Sequence, residues 1–285
     1  MAAIVAEFTE QAVLLGENRS LVGIVTRPRV SHRSDSPAIV ILNTGIVHRV
    51  GHHRMYVTLS RLLAKVGRTV VRFDFSGIGD SKPRKNRLPA LIASLAEIKE
   101  VLDSVQKTHQ VSQVILVGLC SGADHAVLYA HTDPRVVGLV LMDPTIPPTA
   151  RYYFHYLIQR LRNLRNWVSV ISGRSGLLRL MSAHLLSSVR PQSDLKDLNL
   201  QNLQFSSHLG KCYQAAAARN IKMLSVFTSV SARHTYEKQM LDAFPATSSH
   251  GALRLEFFPD SDHLFSAERQ RTRLYRVITD WLSSD

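Results

Sequence analysis

The sequence predicts an α/β fold built on a parallel sheet, and two observations carry that prediction. Short apolar runs rich in β-branched residues alternate with stretches of helical period, and the runs are continuously apolar, as strands buried on both faces are. Strands of this kind, each followed by a helix, close into layers through right-handed crossovers. An opening hairpin is expected first, Ala12 to Leu15 and residues 20 to 27 flanking the turn Gly16-Glu17-Asn18-Arg19. Further strands follow at Ala38–Leu42, Thr69–Phe73, Gln113–Val117, Val136–Met142, Met223–Phe227 and Leu253–Phe258. Between them, Leu88, Leu91, Ile92, Leu95, Ile98 and Leu102 keep a spacing of three or four. Leu274, Val277, Ile278, Trp281 and Leu282 do the same, so both stretches read as amphipathic helices.

The alternation breaks once. After Val136 to Asp143 the chain runs through Pro144, Pro147 and Pro148 into about 75 residues without a clear strand, until Met223 restores the pattern. The expected organisation is therefore a core of residues 1–145 and 223–285 with a helical lid at 146–222. The first lid helix, from about Tyr152 to Val170, would pack its apolar stripe on the core or lie as a basic amphipathic helix on a membrane surface.

Charge and composition narrow the function classes. The chain of 285 residues carries a net +13, and Arg151 to Lys222 holds eleven Lys or Arg against two acids, a net +9. An acidic partner is expected. No nucleic-acid-binding motif accompanies the charge, so nucleic acid is not expected. The start, Met1-Ala2-Ala3-Ile4-Val5-Ala6-Glu7, lacks the basic lead of a secretory signal, and no apolar run reaches the roughly 18 residues a membrane span needs. Two cysteines, Cys120 and Cys212, in a chain with a large core point to reduced thiols and a cytoplasmic setting.

Cys120 stands just past the strand Gln113–Val117, between Gly118 and Gly122. Ligands of open α/β sheets bind beyond the carboxyl ends of the strands, and glycines two residues to either side of a nucleophile let strand and helix approach closely at a sharp turn. Taken with "RFDFSGIGDS" (Arg72 to Ser81) and "FFPDSDHLFS" (Phe257 to Ser266), "GLCSG" resembles the α/β-hydrolase family, most closely its serine-aminopeptidase and monoacylglycerol-lipase branch, over nearly the whole chain. The resemblance implies an eight-stranded, mostly parallel sheet and a nucleophile, an acid and a histidine. By that resemblance Cys120 is the nucleophile and His263 the general base. The oxyanion hole would be the backbone amides of Ser121 and, in the loop Asn43-Thr44-Gly45-Ile46, of Ile46, although Thr44 stands where many relatives carry histidine. The family's acid usually follows the strand that here is Met223–Phe227, where this chain reads Thr228-Ser229-Val230-Ser231-Ala232-Arg233 and has no carboxylate. Asp143 is then the first choice, since some members place the acid there, and Glu237 the second; a Cys-His pair without an acid is the third reading. Asp124 reads as a buried polar contact, and Asp260 and Asp262 as residues that shape the histidine loop.

A cysteine at this position shifts the expectation from plain lipase chemistry to thioesters, because its acyl adduct is itself a thioester that can pass to water, an amine or an alcohol. Three readings remain: a hydrolase of thioesters or esters, an acyltransferase moving an acyl group from CoA or an acyl-carrier protein to a small acceptor, and a catalytically silent binding module. The stretch "IVHRVGHHRMY" (Ile46 to Tyr56) concentrates His48, Arg49, His52, His53 and Arg54. Arg49 and Arg54, with His48 beside them, are expected to contact the substrate, since guanidinium forks match a phosphate or a carboxylate. No Cys or acidic ligand accompanies the histidines there, so neither a metal nor another cofactor is expected.

Overall fold

The computed structural model describes residues 7–29, 36–85, 87–147, 151, 196–228, 236, 238–245 and 253–284. The first expected lid helix, 152–170, and Glu237 lie outside them. Eight strands form one sheet: β1 (Phe8–Leu15), β2 (Leu21–Pro28), β3 (Ala38–Ile41), β4 (Val70–Phe73), β5 (Val114–Leu119), β6 (Val136–Met142), β7 (Lys222–Thr228) and β8 (Leu253–Phe258). Their order is β1-β2-β4-β3-β5-β6-β7-β8, with β1 and β2 antiparallel and β3 to β8 parallel. Every strand predicted from the sequence is present within a few residues of its expected bounds. The described helices are α1 (Met55–Lys65), α2 (Ala90–His109), α3 (Ser121–Ala130), α4 (Lys196–Ala218), the short α5 (Gln239–Ala243) and α6 (Glu268–Ser283).

The continuous apolar runs have their explanation in the two cores. Successive residues of β5 go to opposite faces, Val114 and Leu116 to one core, Ile115 and Val117 to the other. The first core packs Ile98, Val101 and Val105 of α2 with Ala126 and Val127 of α3 and Leu209 and Tyr213 of α4. The second packs Leu59 and Leu63 of α1 against Leu274, Ile278 and Trp281 of α6. Thus α4, in the second half of the segment expected to be a lid, contributes to a core layer beside α3, with Cys212 buried among the same residues. The buried Tyr213 hydroxyl has no hydrogen-bond partner among the described residues. Tyr213→Phe is therefore expected to stabilise the fold by up to about 1 kcal/mol, seen as a higher urea midpoint, because it removes a desolvated polar atom while keeping the ring against Phe244.

One expectation fails at α2. Leu88 and Ile92 belong to the predicted apolar stripe, yet they are 45% and 51% exposed. The helix starts only at Ala90, after Pro89, and its buried face is Ala93, Ser94, Glu97, Ile98, Val101, Leu102 and Val105, which leaves Ile92 round the side.

Candidate active site

The carboxyl ends of β3, β5, β6 and β8 converge on Cys120. This residue joins β5 to α3 with φ 55° and ψ −120°, a backbone region that side chains with a Cβ rarely enter. Its amide donates to Met142 O at 2.9 Å and its carbonyl accepts from the Asp124 amide at 3.0 Å, so neighbouring strand and helix hold the turn from both sides. Gly118 and Gly122 make the close approach possible. A Cβ on Gly118 would strike the backbone of Gly122, and one on Gly122 would lie 2.5 Å from the Asn43 carbonyl oxygen.

Asp143 follows β6 and is buried. Its amide donates to Val226 O at 2.8 Å, its Oδ1 accepts the Thr228 amide at 2.7 Å, and its Oδ2 accepts the Thr228 hydroxyl at 2.5 Å. The same Oδ2 lies 2.8 Å from Nδ1 of His263. The imidazole also lies close enough to the half-buried Cys120 thiol for each to shift the other's titration. His263 sits in a loop pinned on two sides: Asp262 Oδ1 accepts the Leu264 and Ser266 amides at 2.9 and 3.0 Å, and the buried Phe265 ring packs edge-on against Phe258. Asp143, His263 and Cys120 thus form one continuous chain of contacts.

The electrostatics follow that chain. The bond to Asp143 and then the contact with Cys120 push the His263 imidazole up to about 9, against the opposing effect of burial. The His263 contact in turn lowers the Cys120 thiol; burial and Asp124 oppose it, and the Ser121 amide, which hydrogen-bonds the sulfur, assists. Both shifts have the sign that favours a thiolate beside an imidazolium.

The loop expected to complete an oxyanion hole is tied to the elbow. The Gly45 amide donates to the Ser121 hydroxyl at 2.8 Å, and Val47 N–H closes a turn onto Thr44 O at 2.9 Å, which leaves Ile46 at the tip with its side chain 91% exposed. Behind the loop, Asn43 donates to Val47 O and accepts from the Phe75 amide, while Thr44 shares a 2.7 Å hydrogen bond with the buried Tyr56. Asp124 receives both the amide and the hydroxyl of Thr145, at 2.8 and 2.6 Å, and acts as the polar contact foreseen for it.

Arg49 departs from the role expected of it. Its guanidinium pairs with the buried Asp74 and, at 2.5 Å, with Asp80, so it holds no place open for a substrate anion. The spacing of the sequence could not reveal that two carboxylates from the loop after β4 reach it. Arg49→Ala would strand the Asp74 carboxylate in the interior, and urea unfolding is expected to show a loss of about 3 kcal/mol. Arg54 and His48 are exposed, Arg54 at the start of α1. His52, half-buried, is held below the ordinary imidazole value by burial and then by His53 and His263, which places it next to the site. Among the described residues no three His, Cys, Asp or Glu stand together as a metal site. Sequence reasoning missed Thr228, Tyr56, Asn43 and Asp74; all four stand in stretches singled out for other residues, but a positioning role has no spacing signature.

A cysteine at a strand-to-helix elbow, beside a histidine and a buried carboxylate over an eight-stranded, mostly parallel sheet, is consistent with the α/β-hydrolase fold. The model of the serine aminopeptidase family S33 matches residues 36–208, and the chain belongs to that family. No curated protein sequence matches it significantly. Among solved structures it is similar to an α/β serine hydrolase homologue from Coxiella burnetii, at 14% identity and TM-score 0.56 over 98% of this chain and 99% of that one. It is similar also to a proline iminopeptidase of Mycobacterium smegmatis, at 15% identity and TM-score 0.56 over 97% and 98% of the two chains. An esterase of Pyrococcus furiosus gives 12% identity and TM-score 0.58 over 98% and 90%. No described helix is long and apolar enough to cross a membrane.

Proposed function

We propose that the protein cleaves acyl groups from thioesters or esters through a covalent acyl-cysteine intermediate. The Cys120 thiolate attacks the acyl carbonyl carbon, and the oxyanion that forms accepts hydrogen bonds from the Ser121 and Ile46 amides. As the bond to the leaving thiol or alcohol breaks, His263 gives that group its proton. Water then attacks the acyl-thioester, surrendering a proton to His263, and the acid leaves as the Cys120 thiolate is restored. Asp143 keeps His263 in the tautomer and orientation that this needs. With Arg49 engaged by carboxylates, the exposed Arg54 becomes the first candidate among the expected substrate-binding residues to meet an acidic acyl donor such as CoA or an acyl-carrier protein.

The single observation that carries this reading is the unbroken chain from Asp143 through His263 to Cys120 at a strained strand-to-helix turn. It supports reading Asp143, at the end of β6, as the acid that the sequence lacks after β7. The test is intact-protein mass spectrometry after incubation with short acyl-CoA, acyl-pantetheine and p-nitrophenyl esters. The expected result is an acyl adduct that requires Cys120, is absent in Cys120→Ala, and is longer-lived in His263→Ala. No adduct and no turnover with any of these would sink the reading and leave a binding module. Faster discharge on adding an amine or alcohol, with the acyl group found on that acceptor, would make the protein a transferase.

The pH dependence has a definite sign. The thiolate–imidazolium form exists between the lowered titration of Cys120 and that of His263 near 9. Turnover of a soluble ester is expected to rise from acid pH as the thiol ionises and to fall above about 9, where His263 can no longer protonate the leaving group. A profile still rising through pH 10 would contradict it.

A further inference from the structure

Between Asp80 and Glu97 the chain carries no acidic residue and four basic ones, Lys82, Arg84, Lys85 and Arg87. Lys82, Lys85 and Arg87 are exposed, whereas Arg84 is half-buried with its guanidinium on the Ala90 carbonyl. The exposed aliphatic side chains Leu88 and Ile92 lie beside them. The position of this patch is fixed by three hydrogen bonds. The Lys82 amide donates to Ser20 O at 3.0 Å in the turn between β1 and β2, the Gly77 amide to Lys82 O at 3.3 Å, and the Ser76 amide to Glu97 at 2.9 Å. All three lie at the carboxyl edge of the parallel strands, the edge that carries Cys120. The residues of α2 just before Glu97 start from that same edge, with Ala93 and Ser94 buried and Ile92 exposed. The neighbouring turn adds Arg19 and Glu17, which cancel; Asp80, the nearest acid on the loop itself, is held by Arg49.

We propose that this tip docks the protein on an anionic lipid bilayer. Lys82, Lys85 and Arg87 meet the headgroup phosphates, and Leu88 and Ile92 enter the acyl boundary, so that the Cys120 edge faces the lipid. An exposed stretch that joins two aliphatic side chains to three cations suits a soft, anionic, apolar layer, where each basic side chain near the surface is worth about five-fold in partitioning and each buried aliphatic group adds to it. An acidic protein would use the cations but has no need of the aliphatic pair. The consequence for substrate, which rests on the acyl-cysteine reading, is an acyl lipid taken up from the bilayer.

The test uses the full chain in co-sedimentation with phosphatidylcholine vesicles, with and without phosphatidylglycerol. Binding is expected only with phosphatidylglycerol. It should weaken roughly 10²-fold in Lys82→Gln/Lys85→Gln/Arg87→Gln and about ten-fold in Leu88→Ser/Ile92→Ser, with turnover of a soluble ester unchanged in both. Cys120→Ala should bind like the parent, which keeps this inference separate from the catalytic one. The proposal is overturned by absence of a lipid preference, or by both variants binding like the parent, since other cations of the chain would then be responsible. It is overturned also if the aliphatic variant binds normally and polyglutamate competes fully, which would assign the tip to an acidic protein.

Discussion

Asp143→Asn should reduce turnover by about 10²–10³-fold while leaving the protein folded. The amide keeps the shape of the carboxylate and its oxygen can still accept from Thr228, but its NH₂ would face Nδ1 of His263 and force the imidazole into the wrong tautomer. The loss stays below that of a serine enzyme because a thiol needs less help to ionise. A second readout separates positioning from structure. Asp143 is the largest influence raising His263, so its loss should move the alkaline limb of the pH profile from about 9 toward the ordinary imidazole value. An unchanged limb with reduced turnover would mean that Asp143 only props the loop.

The second large effect concerns the fold. Gly122→Ala should destabilise by about 3 kcal/mol or more, or prevent folding, because the new Cβ would lie 2.5 Å from the Asn43 carbonyl and 3.1 Å from that of Leu42, and backbone cannot swing aside as a side chain can. Gly45→Ala is the instructive control. Its φ of 53° is costly for alanine, yet nothing lies within 4 Å of the added carbon, so about 1 kcal/mol is expected. Urea unfolding of both should separate close packing from backbone conformation; equal losses would argue against the proximity of α3 and the loop after β3.

Much of this molecule was legible because its sheet is buried on both sides. Burial on two faces leaves runs such as Val114 to Val117 with no polar residue, and such runs are conspicuous in a sequence. The elbow was legible for a related reason: Gly118 and Gly122 are required by backbone contact. What escaped prediction was decided by contacts between distant segments. Arg49 looked like an anion hook because its partners, Asp74 and Asp80, are on another loop. Leu88 and Ile92 looked buried because period alone does not say where a helix starts or which neighbour covers it. Thr228 carried no signal at all, since a threonine at a strand end is ordinary until a carboxylate from the next strand is placed against it.

The Asp143–Thr228 contact has one more consequence. The carboxylate is fixed by the alignment of two neighbouring strands, with Met142 opposite Val226 and the Asp143 amide on the Val226 carbonyl. It is carried by a seam in the sheet, whereas Cys120 is carried by a turn on the other side of β6. The seam lies toward the β8 edge, where fewer strands support it. If that edge opens while the centre persists, the thiol stays correctly presented and the histidine loses its orientation. Inactivation on gentle warming should then precede the loss of the elbow, with amide exchange rising first in β7 and β8, so that activity fails at a margin of the sheet before Cys120 has moved.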